Sequence, residues 1–236
     1  MIKTFKHSGD LGDIIYSLPT IKALGGGVLY LDPTGGSNDP LVSWGKRVNT
    51  SLNEELIGSL KPLLEQQEYI KEIKLWDSSV GVDYNLNEFR NNLTNNLSDS
   101  HLKAFGLSSS RRDDIWLSID EPLYHSSGRK TLMARSLRVH SNHSFWETLP
   151  DSTIEDLVFV GSKFEYEVFY KTFKYDIPFW DLSILDLARA IACCKLFISN
   201  QTFGSAIAEG FKKDLIQEVY RLCPLAIFQR EGASYV

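Results

Sequence analysis

Short apolar runs alternate with longer amphipathic stretches along most of the chain, and this pattern predicts an α/β protein. The first run, residues 2–5, predicts a strand, and residues 14–24 carry apolar side chains at near-helical spacing that predict a helix. Residues 28–31 predict a second buried strand, and the glycine- and proline-containing segment 32–40 predicts a loop. A strand, a helix and a strand in this order indicate a parallel unit with a right-handed crossover.

The remaining elements of the first half have weaker patterns. Residues 51–67 predict an amphipathic helix, and residues 70–76 predict a short strand or the end of a helix. The asparagine-rich segment 86–97 predicts a weak polar helix, since asparagine is a poor helix former. Residues 100–105 predict another turn or helix, and the alternation of residues 115–119 predicts a strand.

A polar stretch at residues 121–130 predicts a linker between two domains, residues 1–122 and residues 123–236. Beyond this linker the alternation of strands and helices begins again. The predicted strands are residues 131–139, 157–160, 196–198 and 215–219, with a short apolar segment at 177–180, and the predicted helices are residues 163–173, 183–194 and 205–211. Two such α/β halves place a ligand site at the carboxyl ends of the strands, in the cleft between the halves.

Composition and charge narrow the classes of function. A chain of 236 residues with 43% hydrophobic and 23% charged residues is typical of an ordinary globular protein of one large or two small domains. The net charge of -5 indicates no general attraction to nucleic acid or to an anionic membrane. The three cysteines have no spacing typical of a disulfide framework or a zinc site. No apolar run is long enough for a transmembrane helix, so a cytoplasmic protein is expected.

The glycine loop at residues 7–13, between the first strand and the first helix, is the first candidate site. Gly9 and Gly12 allow the backbone to approach a ligand, and the N–H groups of a first helical turn attract anions. Asp10 and Asp13 would repel a phosphate, however, so the loop suggests a place where an acid or base faces a substrate hydroxyl. The structural alternative makes Asp13 a helix N-cap and Asp10 a turn residue.

Two motifs near the ends of the chain resemble one family. Leu-Gly-Asp at residues 11–13 is followed by Ser-Leu-Pro at residues 17–19, and Leu-Phe-Ile-Ser-Asn-Gln-Thr occupies residues 196–202. With intermediate pieces in the same order, they resemble the heptosyltransferase-like glycosyltransferases, glycosyltransferase family 9. The resemblance implies a glycosyltransferase-B fold, with two Rossmann-like domains facing each other across a cleft. It also implies an acceptor bound by the first domain, a nucleotide-sugar donor bound by the second, and no essential metal.

The resemblance implies roles for the carboxylates of the glycine loop. Asp13 matches the catalytic carboxylate of the family's Gly-Asp motif, and a base near the attacking hydroxyl suits sugar transfer. Asp10 is a second candidate, which either orients the acceptor or is a solvated turn residue.

The resemblance also implies a donor site in the second half. Glu165 lies where the family has an acidic residue near the nucleotide ribose, although a first-turn glutamate is equally explained by the helix dipole. Arg135 and Arg138 could neutralise the leaving diphosphate or could be solvated strand residues. The full set of expected donor-binding residues is Gly9, Gly12, Arg135, Arg138, Asn142, Gly161, Ser162, Glu165, Asn200, Gln201, Thr202 and Gly204.

The chain departs from the family pattern at Gln201, Phe203 and Ala206, which leaves the donor sugar open. The leading hypothesis is a metal-independent glycosyltransferase with no cofactor other than its nucleotide diphosphate sugar, acting on a glycan or lipid-linked saccharide. One alternative is a nucleotide-sugar binding module without transfer activity. Another is a glycosyltransferase acting on modified bases in DNA, against which the acidic charge balance argues.

Overall fold

The computed structural model describes residues 1–34, 52–120, 130–138, 141, 144–222 and 224–236. The chain divides into two compact units, Met1–Ser118 and Ile119–Val236. The predicted domain boundary between residues 122 and 123 lies outside the described residues, as do residues 35–40 of the predicted loop. None of the helices in the described ranges is long and apolar enough to cross a membrane.

The first unit contains a parallel sheet in the order β3-β2-β1-β4. Its strands are β1 Lys3–His7, β2 Gly27–Leu31, β3 Ile70–Leu75 and β4 Tyr84–Asn85. Its α-helices are α1 Leu11–Ala23, α2 Glu54–Glu65 and α3 Leu97–Ala104, and short 3-10 helices cover Leu86–Asn91 and Ser109–Arg112. The order of the strands reverses between β1 and β4, so the two chain segments that leave these strands diverge there.

The apolar pattern of the first unit explains its core. Ile14, Ile15 and Leu18 on α1 and Phe5 and Leu29 on the sheet are completely buried. After α1 the chain turns sharply through Gly26, whose φ is +73°. A Cβ at Gly26 would lie on the carbonyl oxygen of Tyr69, so only glycine fits this turn.

Two predictions for the first unit were wrong in detail. The segment 86–97 is not one helix: the 3-10 helix Leu86–Asn91 ends, and α3 begins after Asn96, whose side chain accepts the Asp99 N–H. Asparagine side chains bond locally to backbone groups, which favours caps over a continuous helix. Residues 115–119, all of which the structure describes, form no strand. Gln67 Oε1 accepts the Ser118 N–H instead of a neighbouring strand.

The second unit contains a parallel sheet in the order β10-β9-β8-β5-β6-β7. Its strands are β5 Thr131–Ala134, β6 Leu157–Val160, β7 Phe179–Trp180, β8 Leu196–Ser199, β9 Leu215–Gln217 and β10 Ala233–Tyr235. Its helices are α4 Asp151–Ile154, α5 Lys163–Phe173, α6 Ile184–Cys193 and α7 Phe203–Gly210, with a 3-10 helix at Ser144–Thr148.

The strand order of the second unit is that of a Rossmann sheet. Its six strands, counted along the chain, lie in the spatial order 6-5-4-1-2-3, with the reversal between β5 and β8. The first unit has the first four strands of the same arrangement. The predicted α/β class with two Rossmann-like units is therefore confirmed. Strand β5 ends at Ala134 rather than residue 139, and β10 was not predicted because Ala-Ser-Tyr carries no apolar run.

Candidate active site

The glycine loop lies where β1 ends and α1 begins, beside the reversal of strand order in the first unit. Three successive backbone N–H groups of this loop donate hydrogen bonds to side chains of the same unit. Ser8 N–H donates to Asn87 Oδ1 at 3.1 Å, Gly9 N–H to His7 Nδ1 at 2.8 Å and Asp10 N–H to Asp13 Oδ2 at 3.3 Å. A loop that binds phosphate directs free backbone N–H groups at the ligand. Because the N–H groups of Ser8, Gly9 and Asp10 are bonded to side chains, this loop does not have the form of a phosphate-binding loop.

The two carboxylates of the loop have different positions on the helix. Asp10 is the N-cap residue of α1, with extended backbone, and Asp13 is in the first turn. The structural alternative from the sequence had assigned the cap to Asp13. Both side chains are only partly buried, and Asp13 Oδ2 accepts the Asp10 N–H. The Asp13 carboxylate is therefore held by a backbone group of the loop and is partly exposed.

The two glycines of the loop have different surroundings. A Cβ at Gly9 would lie 2.6 Å from His7 Cε1 and 2.7 Å from Asp13 Oδ2, so the position has no room for a side chain. At Gly12 an added Cβ would have no described atom within 4 Å other than those of its chain neighbours and of the backbone of its own helix. Gly9 is thus required for packing within the loop, whereas the surface at Gly12 is open.

A buried cluster behind the loop was not predicted from the sequence. The His7 ring packs near Phe89, with centroids 6.0 Å apart, and near His101 at 5.3 Å. Burial lowers the pKa of His7 well below its usual value, and the nearby His101 and Arg90 lower it further. Burial, followed by the Arg90 charge, lowers the pKa of His101 to about 3. The signal in the sequence was the alternation of β1, which points Phe5 and His7 to the same buried face.

In the second unit, Asn200 joins the end of β8 to the segment after β5. Its side chain is completely buried. Asn200 Oδ1 accepts the Ser136 N–H at 2.9 Å, and Nδ2 donates to the carbonyl oxygens of Ser136 and Arg138 at 3.1 and 3.0 Å. These bonds lie at the strand-order reversal of this unit, where ligands bind in Rossmann folds. Asn200 therefore shapes the loop through its own side chain.

The segment after Asn200 forms the start of α7. Gln201 Oε1 accepts the Tyr220 N–H at 3.0 Å. Thr202 is the N-cap of α7, and its hydroxyl accepts the Ser205 N–H at 3.2 Å. A Cβ at Gly204 would lie 2.7 Å from Phe197 Cζ, so glycine allows this turn to pack against β8. The predicted residues thus lie together at a helix N-terminus.

Glu218, just after β9, was missed as a functional candidate. It is completely buried and accepts hydrogen bonds from three residues. The donors are Arg135 Nε at 3.1 Å and Nη2 at 3.3 Å, the Ser141 N–H at 2.9 Å and hydroxyl at 3.2 Å, and Trp146 Nε1 at 2.7 Å. The guanidinium of Arg135 is therefore paired with Glu218, and its side chain is only 12% exposed. The sequence signal was a glutamate within the apolar run predicted as strand 215–219.

The other predicted donor residues follow β6 or lie outside the described ranges. Gly161 directly follows β6 and has a φ of +144°, and Ser162 is the N-cap of α5. Glu165 Oε2 accepts from Ser162 N–H at 3.0 Å and from its hydroxyl at 2.8 Å, which completes a capping box. Asn142 lies outside the described residues. Within the described ranges, no group of three His, Cys, Asp or Glu side chains is arranged to hold a metal ion.

No family model matches the sequence, and no curated protein matches it. The structure is similar to solved structures along its whole length. A family 9 glycosyltransferase from Veillonella parvula has a TM-score of 0.63 at 13% identity, covering 99% of this chain and 86% of that chain.

Two enzymes from Escherichia coli are also similar. Heptosyltransferase WaaC in complex with ADP has a TM-score of 0.59 at 10% identity, covering 100% of this chain and 92% of that chain. ADP-heptose lipopolysaccharide heptosyltransferase II has a TM-score of 0.54 at 10% identity, covering 100% and 90%. This chain, with its two Rossmann-like units, has the fold of the heptosyltransferase-like glycosyltransferases of family 9.

Proposed function

We propose that this protein is a glycosyltransferase, which moves a sugar from a nucleotide diphosphate sugar to a hydroxyl of a glycan or lipid-linked saccharide. The observation that carries the proposal is the whole-length likeness to glycosyltransferase structures, one of which is WaaC with ADP-2-deoxy-2-fluoro heptose. The two strand-order reversals, each with polar side chains at its carboxyl edge, support separate acceptor and donor sites.

In this proposal Asp13 is the base. The acceptor hydroxyl gives its proton to the Asp13 carboxylate while its oxygen forms a bond to the anomeric carbon of the donor sugar. The bond from that carbon to the phosphate oxygen breaks, and the nucleoside diphosphate leaves. The fixed orientation and partial exposure of the Asp13 carboxylate support this role. Asp10, at the N-cap three residues earlier, is proposed to orient the acceptor.

The donor is proposed to bind in the second unit without a metal. Its diphosphate would lie at the N-terminus of α7, where Thr202 and Gly204 shape the turn and the helix dipole favours negative charge. Arg135 is paired with Glu218, and Arg138 and Asn142, which follow it in the sequence, are proposed to lie near the diphosphate as well. Gly161, Ser162 and Glu165 are proposed to lie at the nucleoside, with the carboxylate accepting ribose hydroxyls.

Ligand-dependent stability tests the donor site. A nucleoside diphosphate that binds only the native state stabilises it by about 2.7 kcal/mol at a concentration of 100 times its Kd. Thermal unfolding should be measured with ADP, UDP and GDP, with the matching monophosphates as controls and ADP-heptose as the first sugar nucleotide. If the nucleoside diphosphate of one base raises the melting temperature more than the others, that base identifies the donor class. If no nucleoside diphosphate raises the melting temperature, the proposal is contradicted.

Replacement of the proposed base tests the chemistry. We expect Asp13→Asn to lower the transfer rate by about 10²- to 10⁴-fold, because asparagine cannot take the proton. Its side-chain oxygen can still accept the Asp10 N–H, so the loop is retained, and nucleotide-dependent stabilisation should be unchanged. Asp10→Asn is the matched control and should have a smaller effect. An unchanged rate in Asp13→Asn, or loss of transfer on addition of EDTA, would contradict the mechanism.

The second candidate is a nucleotide-sugar binding module without transfer. The observation that favours it concerns Gln201, which lies between β8 and α7 in the segment proposed to bind the donor. Its side chain accepts the Tyr220 N–H and is thus engaged within the protein. Nucleotide-dependent stabilisation without turnover for any glycan acceptor would support this candidate over the first.

A further inference from the structure

His7 lies behind the proposed base and is bonded to the loop that carries it. Its Nδ1 accepts the Gly9 N–H at 2.8 Å, in a buried position. An imidazole nitrogen that accepts a hydrogen bond carries no proton, so this bond requires the neutral ring with its proton on Nε2. The glycine loop is therefore built around one protonation state and one tautomer of His7.

Gly9 transmits the position of this ring to Asp13. The space where a Gly9 Cβ would lie is 2.6 Å from His7 Cε1 and 2.7 Å from Asp13 Oδ2. The imidazole and the carboxylate are thus both packed against the same glycine. The neighbouring Asp10 N–H donates to Asp13 Oδ2, so a shift of the loop at Gly9 would also move the partner of the carboxylate.

The surroundings of His7 hold the ring in place and favour its neutral form. The ring lies 24° from parallel to Phe89 and is completely buried. The charged and titratable side chains around it are Arg90 on the 3-10 helix and His101 on α3, with Asp13 on α1 beyond Gly9. His7 Nε2 has no hydrogen-bond partner among the described residues. The Gly9 N–H is the bond by which the side chain acts on the loop.

We propose that His7 is a positioning residue for Asp13, whose neutral imidazole holds the glycine loop in the conformation that aims the carboxylate. This inference rests on the proposed role of Asp13 as the base. Protonation of His7 would put a donor on Nδ1 opposite the donor N–H of Gly9, so the bond would be lost and the loop released. Transfer should therefore require neutral His7, although His7 does not contact the reacting atoms.

Two substitutions at position 7 separate the hydrogen bond from the packing. His7→Asn keeps an acceptor close to the position of Nδ1, whereas His7→Phe keeps a ring and removes the acceptor. We expect kcat to fall about 100-fold in His7→Phe, with the donor KM within about twofold, since a small displacement of a reacting group has effects of this size. His7→Asn should keep kcat within about fivefold of the original protein.

Hydrogen exchange of the Gly9 amide provides a readout that needs no substrate. We expect this amide to exchange at least about tenfold faster in His7→Phe than in the original protein, and to stay protected in His7→Asn. On acidification the original protein should lose protection at Gly9 before His7→Asn does, because asparagine does not titrate. Leu29→Ala, on the buried face of the neighbouring strand, is the control for a general loss of stability and should lower the melting temperature without changing kcat.

The outcomes distinguish this inference from the proposed function. Absence of transfer in the original protein would refute the proposed function, whereas the Gly9 exchange data would still decide whether His7 holds the loop. Equal exchange in His7→Phe and the original protein would overturn the inference. Equal loss of kcat in His7→Phe and His7→Asn would also overturn it, since only one of them lacks the acceptor.

Discussion

Replacing Glu218 by alanine should lower the free energy of unfolding by about 3 to 5 kcal/mol, which is the effect of breaking a buried ion pair from one side. The variant would leave the Arg135 guanidinium, 12% exposed, without its carboxylate. It would also leave Trp146 Nε1 and the Ser141 N–H without their acceptor. Urea unfolding followed by tryptophan fluorescence measures the change.

A comparison of a single variant with a double variant tests whether the lost stability comes from the unpaired Arg135 charge. Glu218→Leu combined with Arg135→Met removes both charges, and buried pairs replaced in this way often recover most of the stability. We expect the double variant to be more stable than Glu218→Leu alone. If both have the same stability, the effect of Glu218 comes from shape or from its bonds to Trp146 and Ser141, and the ion-pair account is wrong.

Acidification from pH 7 to pH 5 should destabilise the first unit steeply, because folding keeps His7 and His101 neutral. Burial is the main cause of the lowered pKa in both residues, and that of His101 is lowered to about 3. In the unfolded chain each histidine takes up a proton near pH 6.5, whereas in the native state the two buried histidines stay neutral at this pH. The unfolded state therefore binds more protons than the native state as the pH falls. Stability is therefore complete above that pH and is lost as the pH falls, by up to about 1.4 kcal/mol per pH unit for each histidine.

Denaturant unfolding at several pH values between 7.5 and 5 measures this slope. The window avoids most of the carboxylate titrations, which occur at lower pH. His101→Phe keeps a ring beside Phe89, whose centroid is 4.1 Å away, and should reduce the slope by about half because one of the two histidines is removed. A slope that is unchanged in this variant would show that other groups cause the acid sensitivity.

Local sequence patterns predicted some elements of the second unit to the residue, although β5 is shorter than predicted and β10 was missed. The predicted strand 157–160 and helix 163–173 coincide with β6 and α5, because a continuous apolar run and a capped amphipathic segment are unambiguous. Predictions failed where side chains replace strand or helix partners. Residues 115–119 alternate like a strand, yet Gln67, distant in sequence, takes the Ser118 N–H.

For the site too, residues marked by local patterns were found from the sequence, whereas pairings between distant residues were not. The sequence indicated that Asp13 and Asn200 belong to loops at strand ends; Asn200 does follow β8, whereas Asp13 lies in the first turn of α1. It assigned Arg135 to an anionic ligand, whereas the structure pairs Arg135 with Glu218, a residue 83 positions away along the chain. It assigned no role to His7, whose partners Phe89 and His101 come from separate elements of the same unit.

The sequence by itself determined the α/β class, the two halves and the loop that carries Asp10 and Asp13, because these depend on periodicity and on glycine within short segments. Only the tertiary structure decided which charges are compensated and which imidazole is neutral. Burial and pairing depend on side chains that the topology brings together from distant positions, such as Glu218 with Arg135. The hydrogen bond from Gly9 to His7 likewise depends on the burial of the ring among elements of the first unit, which the local sequence pattern does not show.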